Sequence, residues 1–232
     1  MRSHVMFAVA AGALMLSGLP AGAQDFGADG SFYVAARGGA SRASDVELRE
    51  LAGDGQPGFP GFDNEIDFDT GYRGSLAVGH NLGDFPIRPV FEIGYTNADV
   101  DELTVQGSAQ DSSVLNGDID SISFMGNLYY DFEIDRSTDF YLGGGIGISE
   151  LRANFSGTGI FSPGFGNVFN PADDEDTVFS YQLMAGLAWH VSDRASLDVG
   201  YRLFSSEDPS YSFGAMEAPI IQTIEAGVRF RF

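Results

Sequence analysis

Three groups of residues carry side chains whose types and spacing suit chemistry. His190-Val191-Ser192 sets an imidazole two residues from a hydroxyl, the base and nucleophile of an acyl-transfer pair. Only Asp193 stands close in sequence to orient the ring, so the third member such chemistry uses is not evident. Asp99-Val100-Asp101-Glu102 and Asp173-Asp174-Glu175-Asp176 offer carboxylate oxygens of the kind Ca²⁺ prefers. Neither run has the glycine-containing spacing of a calcium loop, so solvated acidic loops are the expectation, with loose bridging of divalent cations, for instance to lipopolysaccharide phosphates, as the lesser alternative. The third group is scattered: Arg37, Arg73, Glu92, Gln182, Asp198, Arg202, Glu225 and Arg229 each stand between less polar neighbours. Charges in such surroundings need partners, because a lone buried charge is costly.

The elements that position these residues are strands. The composition is rich in Gly, Phe and Tyr, which favours strands and turns over long helices. Segments of about ten residues alternate in character with a period of two. Eight are found, at 31 to 40, 68 to 80, 88 to 97, 121 to 131, 140 to 150, 178 to 190, 196 to 204 and 220 to 232. In the sixth, Phe179, Tyr181, Leu183, Ala185, Leu187 and Trp189 share one face, with Ser180, Gln182, Met184, Gly186, Ala188 and His190 on the other. In the eighth, Ile224, Ala226, Val228, Phe230 and Phe232 oppose Thr223, Glu225, Gly227, Arg229 and Arg231. Alternation alone fits a soluble sandwich as well as a membrane barrel. The connections decide between them, because they run long, short, long, short, long, short, long, the pattern of short periplasmic turns and long extracellular loops. The expectation is an all-β chain: an eight-stranded antiparallel up-and-down transmembrane β-barrel. Apolar stretches inside the long loops, such as Leu103-Thr104-Val105, leave ten strands open.

Whole-chain properties narrow the function classes. The 232 residues carry a formal charge of −21 and no lysine, which argues against a nucleic-acid surface. Without cysteine there is no disulfide framework, no cysteine metal site and no acceptor for an N-terminal lipid. Arg2, the apolar run from Val5 to Leu19 and the small residues Ala21-Gly22-Ala23 read as a cleaved secretory signal. The run is shorter than the roughly 20 residues that span a bilayer. Residues 1–23 are therefore expected to be removed and residues 24–232 to form one barrel domain.

GNLYYDF at 126 to 132, YLGGGIG at 141 to 147, SLDVGYRLF at 196 to 204 and the terminal IEAGVRFRF together resemble the opacity-type and outer membrane protein A-like family of small barrels. The resemblance implies export to the outer membrane of a Gram-negative bacterium and contact with its lipid and lipopolysaccharide. It also implies that Val228, Phe230 and Phe232 are read by the barrel-assembly machinery. No separate peptidoglycan-binding domain is expected.

Inside such a barrel the polar faces place Arg37, Arg73, Glu92, Asp198, Arg202, Glu225 and Arg229 in the lumen, close to balance in sign. An eight-stranded lumen is just wide enough for side chains to fill, so a salt-bridged plug is expected ahead of a narrow gate for ions or small solutes. Tyr72, Tyr95, Tyr130, Tyr141, Trp189, Tyr201 and Phe232 read as interfacial girdles. His190 and His80 fall at the short-turn rim, as interfacial groups with no metal or cofactor expected. A structural or surface-interaction barrel ranks first, a narrow channel second and a lipid-modifying enzyme last.

Overall fold

The computed structural model describes residues 31–44, 46–47, 64–68, 70–83, 85–105, 116–156, 161–162, 166–167, 174–211, 214–215 and 218–232. The expected signal at 1–23 lies outside them, as do Asp45, Glu50, Asp54, Asp63 and Asp173. Among the described residues the regular structure is all strand, and no helix is long and apolar enough to cross a membrane.

Eight long strands form the wall: β1 Ser31–Ala43, β2 Thr70–Asn81, β3 Ile87–Val105, β4 Asn116–Asp135, β5 Thr138–Ser156, β6 Asp174–His190, β7 Ala195–Ser206 and β8 Ile221–Arg231. Each pairs antiparallel with its neighbours in sequence. β1 then pairs with β8, from Tyr33 opposite Arg231 to Ala43 opposite Ile221, and the sheet closes. Closure leaves no open edge, which a bilayer requires because lipid cannot bond a bare backbone.

The strands outrun their expected limits. β3 and β4 form a hairpin to Val105 and from Asn116, so the connection expected at 98 to 120 shrinks to 106–115. Its base pairs with the short strand Asn64–Phe68, in which Ile66 stands opposite Leu103, and that strand pairs with Val46–Glu47. Leu103-Thr104-Val105 thus lengthens a wall strand, and the barrel keeps eight. The two acidic runs change with it: Asp99 to Glu102 lie within β3, and Asp174 to Asp176 open β6, so both are strand where loop was expected.

At the other end the connections tighten to 82–86, 136–137 and 191–194. Gly83 takes φ 63°, a left-handed conformation that side chains disfavour, and turns β2 into β3. Asp135 accepts hydrogen bonds from the amide and hydroxyl of Ser137, which hold its carboxyl below the usual range and fix the second turn.

Inward and outward positions alternate along every strand. Leu76, Leu128, Ile146, Leu183 and Ile224 face outward, each at least 60 % exposed. Around this apolar band Tyr72, Tyr95 and Tyr201 stand toward the long-loop end, and Tyr130, Trp189 and Phe232 toward the short-turn end, all exposed. Tyr141 does not join them: it is 1 % exposed and points into the lumen. The register explains why, since Leu142, Ile146 and Ile148 face outward on β5 and Tyr141 has the opposite parity.

Candidate functional site

The lumen is filled by pairing large inward side chains with inward glycines. A Cβ at Gly79 would lie 2.2 Å from the Tyr33 ring, and one at Gly143 would lie 2.6 Å from Tyr129. Gly145 leaves room for the Asn127 amide and Gly147 for the Met125 thioether. The Tyr141 hydroxyl sits above Gly186 and Gly200, 2.4 and 2.3 Å from where their Cβ atoms would be. The run at 143 to 147 that helped mark the family resemblance thus supplies the holes into which the β4 side chains pack.

At mid-height the charged residues converge. Arg202 on β7 grips Glu225 on β8 through two parallel bonds, Nε to Oε2 and Nη2 to Oε1, both 3.0 Å. The same guanidinium reaches Glu92 on β3 at 2.7 and 3.1 Å and donates to Gln182 Oε1. Glu92 also accepts from Arg73, which donates to Thr96 Oγ1 as well. Gln182 passes the chain on to Asn127 at 2.6 Å. Below this layer Arg37 donates to Asp198 at 2.7 Å and lies 3.6 Å from Glu92 and 3.9 Å from Glu225. The side chains of Glu92, Asp198 and Arg202 are fully buried. Two carboxylates bracketed by three guanidiniums satisfy one another where none could stay charged alone.

All seven charged residues expected in the lumen are buried on the inward face, Gln182 with them, and all but Arg229 join the network. Arg229 is buried on the inward face yet makes no hydrogen bond to any described residue, its guanidinium lying 5.4 Å from the Tyr33 ring centroid. Sequence reasoning missed Arg88, which is also buried and points inward. It pairs with Asp131 through Nε and Nη2 and donates to the Tyr33 hydroxyl. Its parity with Glu92, four residues on, was the available signal. With Arg88 and its partner Asp131 counted, the lumen holds one more guanidinium than carboxylates, the same difference as in the expected set.

His190 does not use Ser192. Its Nδ1 meets Ser196 Oγ at 2.9 Å and its Nε2 meets Asp139 Oδ2 at 2.7 Å. A carboxylate only accepts, so a neutral ring carries its proton on Nε2 and accepts the serine hydroxyl at Nδ1. The imidazole thereby ties β5, β6 and β7 together at the short-turn rim. Ser192 instead accepts the backbone amides of Arg194 and Ala195 and shapes the turn. His80 faces outward and stacks on Phe32, ring centroids 4.4 Å apart. Among the described residues no group of three or more His, Asp or Glu side chains is placed to hold a metal.

Phe232 is tied in by its amide, which donates to the Phe32 carbonyl at 3.0 Å, and its ring lies on the outer face with Val228. A shallow trough on the same outer wall is lined by Val78, Phe91, Leu128 and Ile146 around the small residues Gly126 and Gly144. It is apolar and faces lipid, so it fits an acyl chain rather than a polar substrate.

Comparison with known proteins agrees with this architecture. A family model described as outer membrane protein beta-barrel domain matches residues 11–232. No curated protein matches the chain. Neisserial surface protein A superposes with a TM-score of 0.54 at 17 % identity, over 88 % of this chain and 100 % of that one. The outer membrane protease OmpT from Escherichia coli gives 0.51 at 10 % identity, over 87 % and 97 %. OprG, an outer membrane protein of Pseudomonas aeruginosa, gives 0.49 at 15 % identity, over 87 % and 96 %. At such identities the likeness is one of fold.

Proposed function

The chain belongs to the outer membrane protein β-barrel domain family, and we propose that it acts as a structural and surface-interaction barrel whose lumen is closed. The observation that carries this reading is the Arg202, Glu92, Glu225, Arg73 and Arg37 network, whose side chains fill the lumen at mid-height with 0 to 3 % exposure. A plugged barrel has no solute path to offer, so its activity falls to its outer wall and its long connections. Those connections carry much of the chain's acid, including Glu47, Glu50, Asp54, Asp63 and Glu65 in the first. They suit loose divalent-cation bridges to the phosphates of lipopolysaccharide. In this reading the barrel sits in the outer membrane of a Gram-negative bacterium after cleavage of residues 1–23. Val228, Phe230 and Phe232 present the terminal pattern to the assembly machinery.

A narrow channel is the second reading, favoured by the charged lining alone, since paired charges that exchange partners can pass ions. An enzymatic role has less support, because among the described residues the chain of Ser196, His190 and Asp139 staples three strands. The test compares cells producing the chain, cells producing a form with residues 157–173 exchanged for a short Asn-Gly turn, and cells lacking it. The surface role is expected to leave sugar uptake equal in all three and to make detergent resistance or adhesion depend on the loop. Uptake raised equally by both forms, with no surface phenotype, would overturn it.

A further inference from the structure

The two halves of the lumen differ in charge. Toward the long loops, Arg73 and Arg202 are matched by Glu92 and Glu225. Toward the short turns, Arg37 pairs with Asp198 and reaches Glu92 and Glu225 at 3.6 and 3.9 Å, Arg88 pairs with Asp131, and Arg229 has no carboxylate within ion-pair distance among the described residues. Asp198 is taken by Arg37 and Asp131 by Arg88, which leaves Arg229 without an ion pair among the described residues. At the rim beyond, Asp139 is engaged by His190, and the half-buried Arg231 adds a further cation.

The polar atoms left over in this half are mostly donors. Arg229 Nε, Arg37 Nη1 and the hydroxyls of Tyr129 and Tyr141 are all buried without a hydrogen-bond partner, as is one acceptor, Asp198 Oδ2. Ring and cation contacts connect their residues through Arg88, which lies over both Tyr33 and Tyr129. Arg37 lies over the Tyr129 ring at 5.8 Å, and the Tyr129 and Tyr141 rings meet edge to face at 5.6 Å. Arg88 and Arg229 each sit 5.4 Å from the Tyr33 ring centroid. Buried donors in native proteins find acceptors, and a buried cation finds a counter-charge. Water answers the first need and leaves the second unmet.

We propose that the short-turn half of the lumen binds one small inorganic anion, a halide or an oxyanion such as phosphate. Arg229 and Arg37 supply its charge partners, and the Tyr129 and Tyr141 hydroxyls supply neutral donors. Asp198 Oδ2, with Glu92 and Glu225 on the far side of Arg37, makes up the unfavourable neighbours, and Arg37 offsets them. The anion completes the plug from the periplasmic side: it neutralises the surplus charge and links the paired strands β1 and β8 to the paired strands β4 and β5 across the lumen.

The test uses the full barrel refolded in detergent micelles, with sodium gluconate as the reference salt. Chloride or inorganic phosphate then replaces gluconate at constant ionic strength while the thermal unfolding midpoint is followed. The expected result is a midpoint that rises by several degrees and saturates, with the chloride and phosphate arms telling halide from oxyanion. Arg229→Met should abolish the rise, whereas Arg136→Met, which removes an exposed charge at the same end, should keep it. Tyr141→Phe keeps every charge and should move saturation to a several-fold higher anion concentration, a readout that stands even where Arg229→Met does not fold. Equal midpoints in all three salts, or an undiminished rise in Arg229→Met, would overturn the proposal.

Discussion

Arg202 and Glu92 stand on β7 and β3, strands four places apart in a ring of eight, and two hydrogen bonds of 2.7 and 3.1 Å join them straight across the barrel. No other pair of bonded side chains in the network is separated by more of the wall. The contact matters for energetics and function alike, since a link across the diameter braces opposite walls and closes the space between them.

Removing both partners together should cost clearly less than the two single removals added. Glu92→Ala leaves Arg202, Arg73 and Arg37 facing each other with one carboxylate fewer, and a loss of about 3–5 kcal/mol is expected from a broken buried ion pair. The double variant Glu92→Met with Arg202→Met removes one charge of each sign and should lose clearly less than the sum of the single variants. Urea unfolding in lipid vesicles, followed by tryptophan fluorescence of Trp189, measures both.

Glycines on the two faces should respond oppositely to the same substitution. Gly143→Ala drives a methyl to within 2.6 Å of Tyr129 and should destabilise by about 1–3 kcal/mol through overpacking. Gly74 faces outward with nothing within 4 Å of its Cβ position, so Gly74→Ala should be neutral or slightly stabilising. The same unfolding curves decide, and equal effects would show that the lumen is not packed as described.

His190→Ala releases Ser196 and Asp139 at once and should cost about 1–2 kcal/mol, at roughly 1 kcal/mol for each hydrogen bond. Ser192→Ala loses only the turn's hydroxyl acceptor and should cost less. Hydrogen exchange at the 191–194 turn separates the two: the first variant should speed exchange on β5, β6 and β7, the second only within the turn.

Much of this was legible from alternation. The parity of Glu92, Gln182, Asp198, Arg202 and Glu225 placed all five in the lumen, because a one-residue slip would turn every apolar neighbour inward. Tyr141 was misread because the glycines after it hide the alternation, and its parity shows only when Leu142, Ile146 and Ile148 are read as the outer face. Arg88 was missed because it opens β3 between Ile87 and Pro89, where strand and turn signals overlap. The extensions of β3 and β4 escaped for a different reason. Beyond the apolar band both faces of a strand carry polar residues, and Asp99, Asp101 and Glu102 read as loop. Which carboxylate pairs with which guanidinium depends on the closure of β1 onto β8, a contact between chain ends that local pattern does not encode.

In the proposed function the Arg202–Glu92 contact and its neighbours close the lumen. Single-channel recording in planar lipid bilayers tests it most directly, with insertion of the folded barrel verified by its heat-dependent mobility on gels. No discrete conductance is expected from the wild type, and small steps should appear in a variant carrying Arg202→Ala with Glu92→Ala. Stable open steps from the wild type, unchanged by the double substitution, would contradict it.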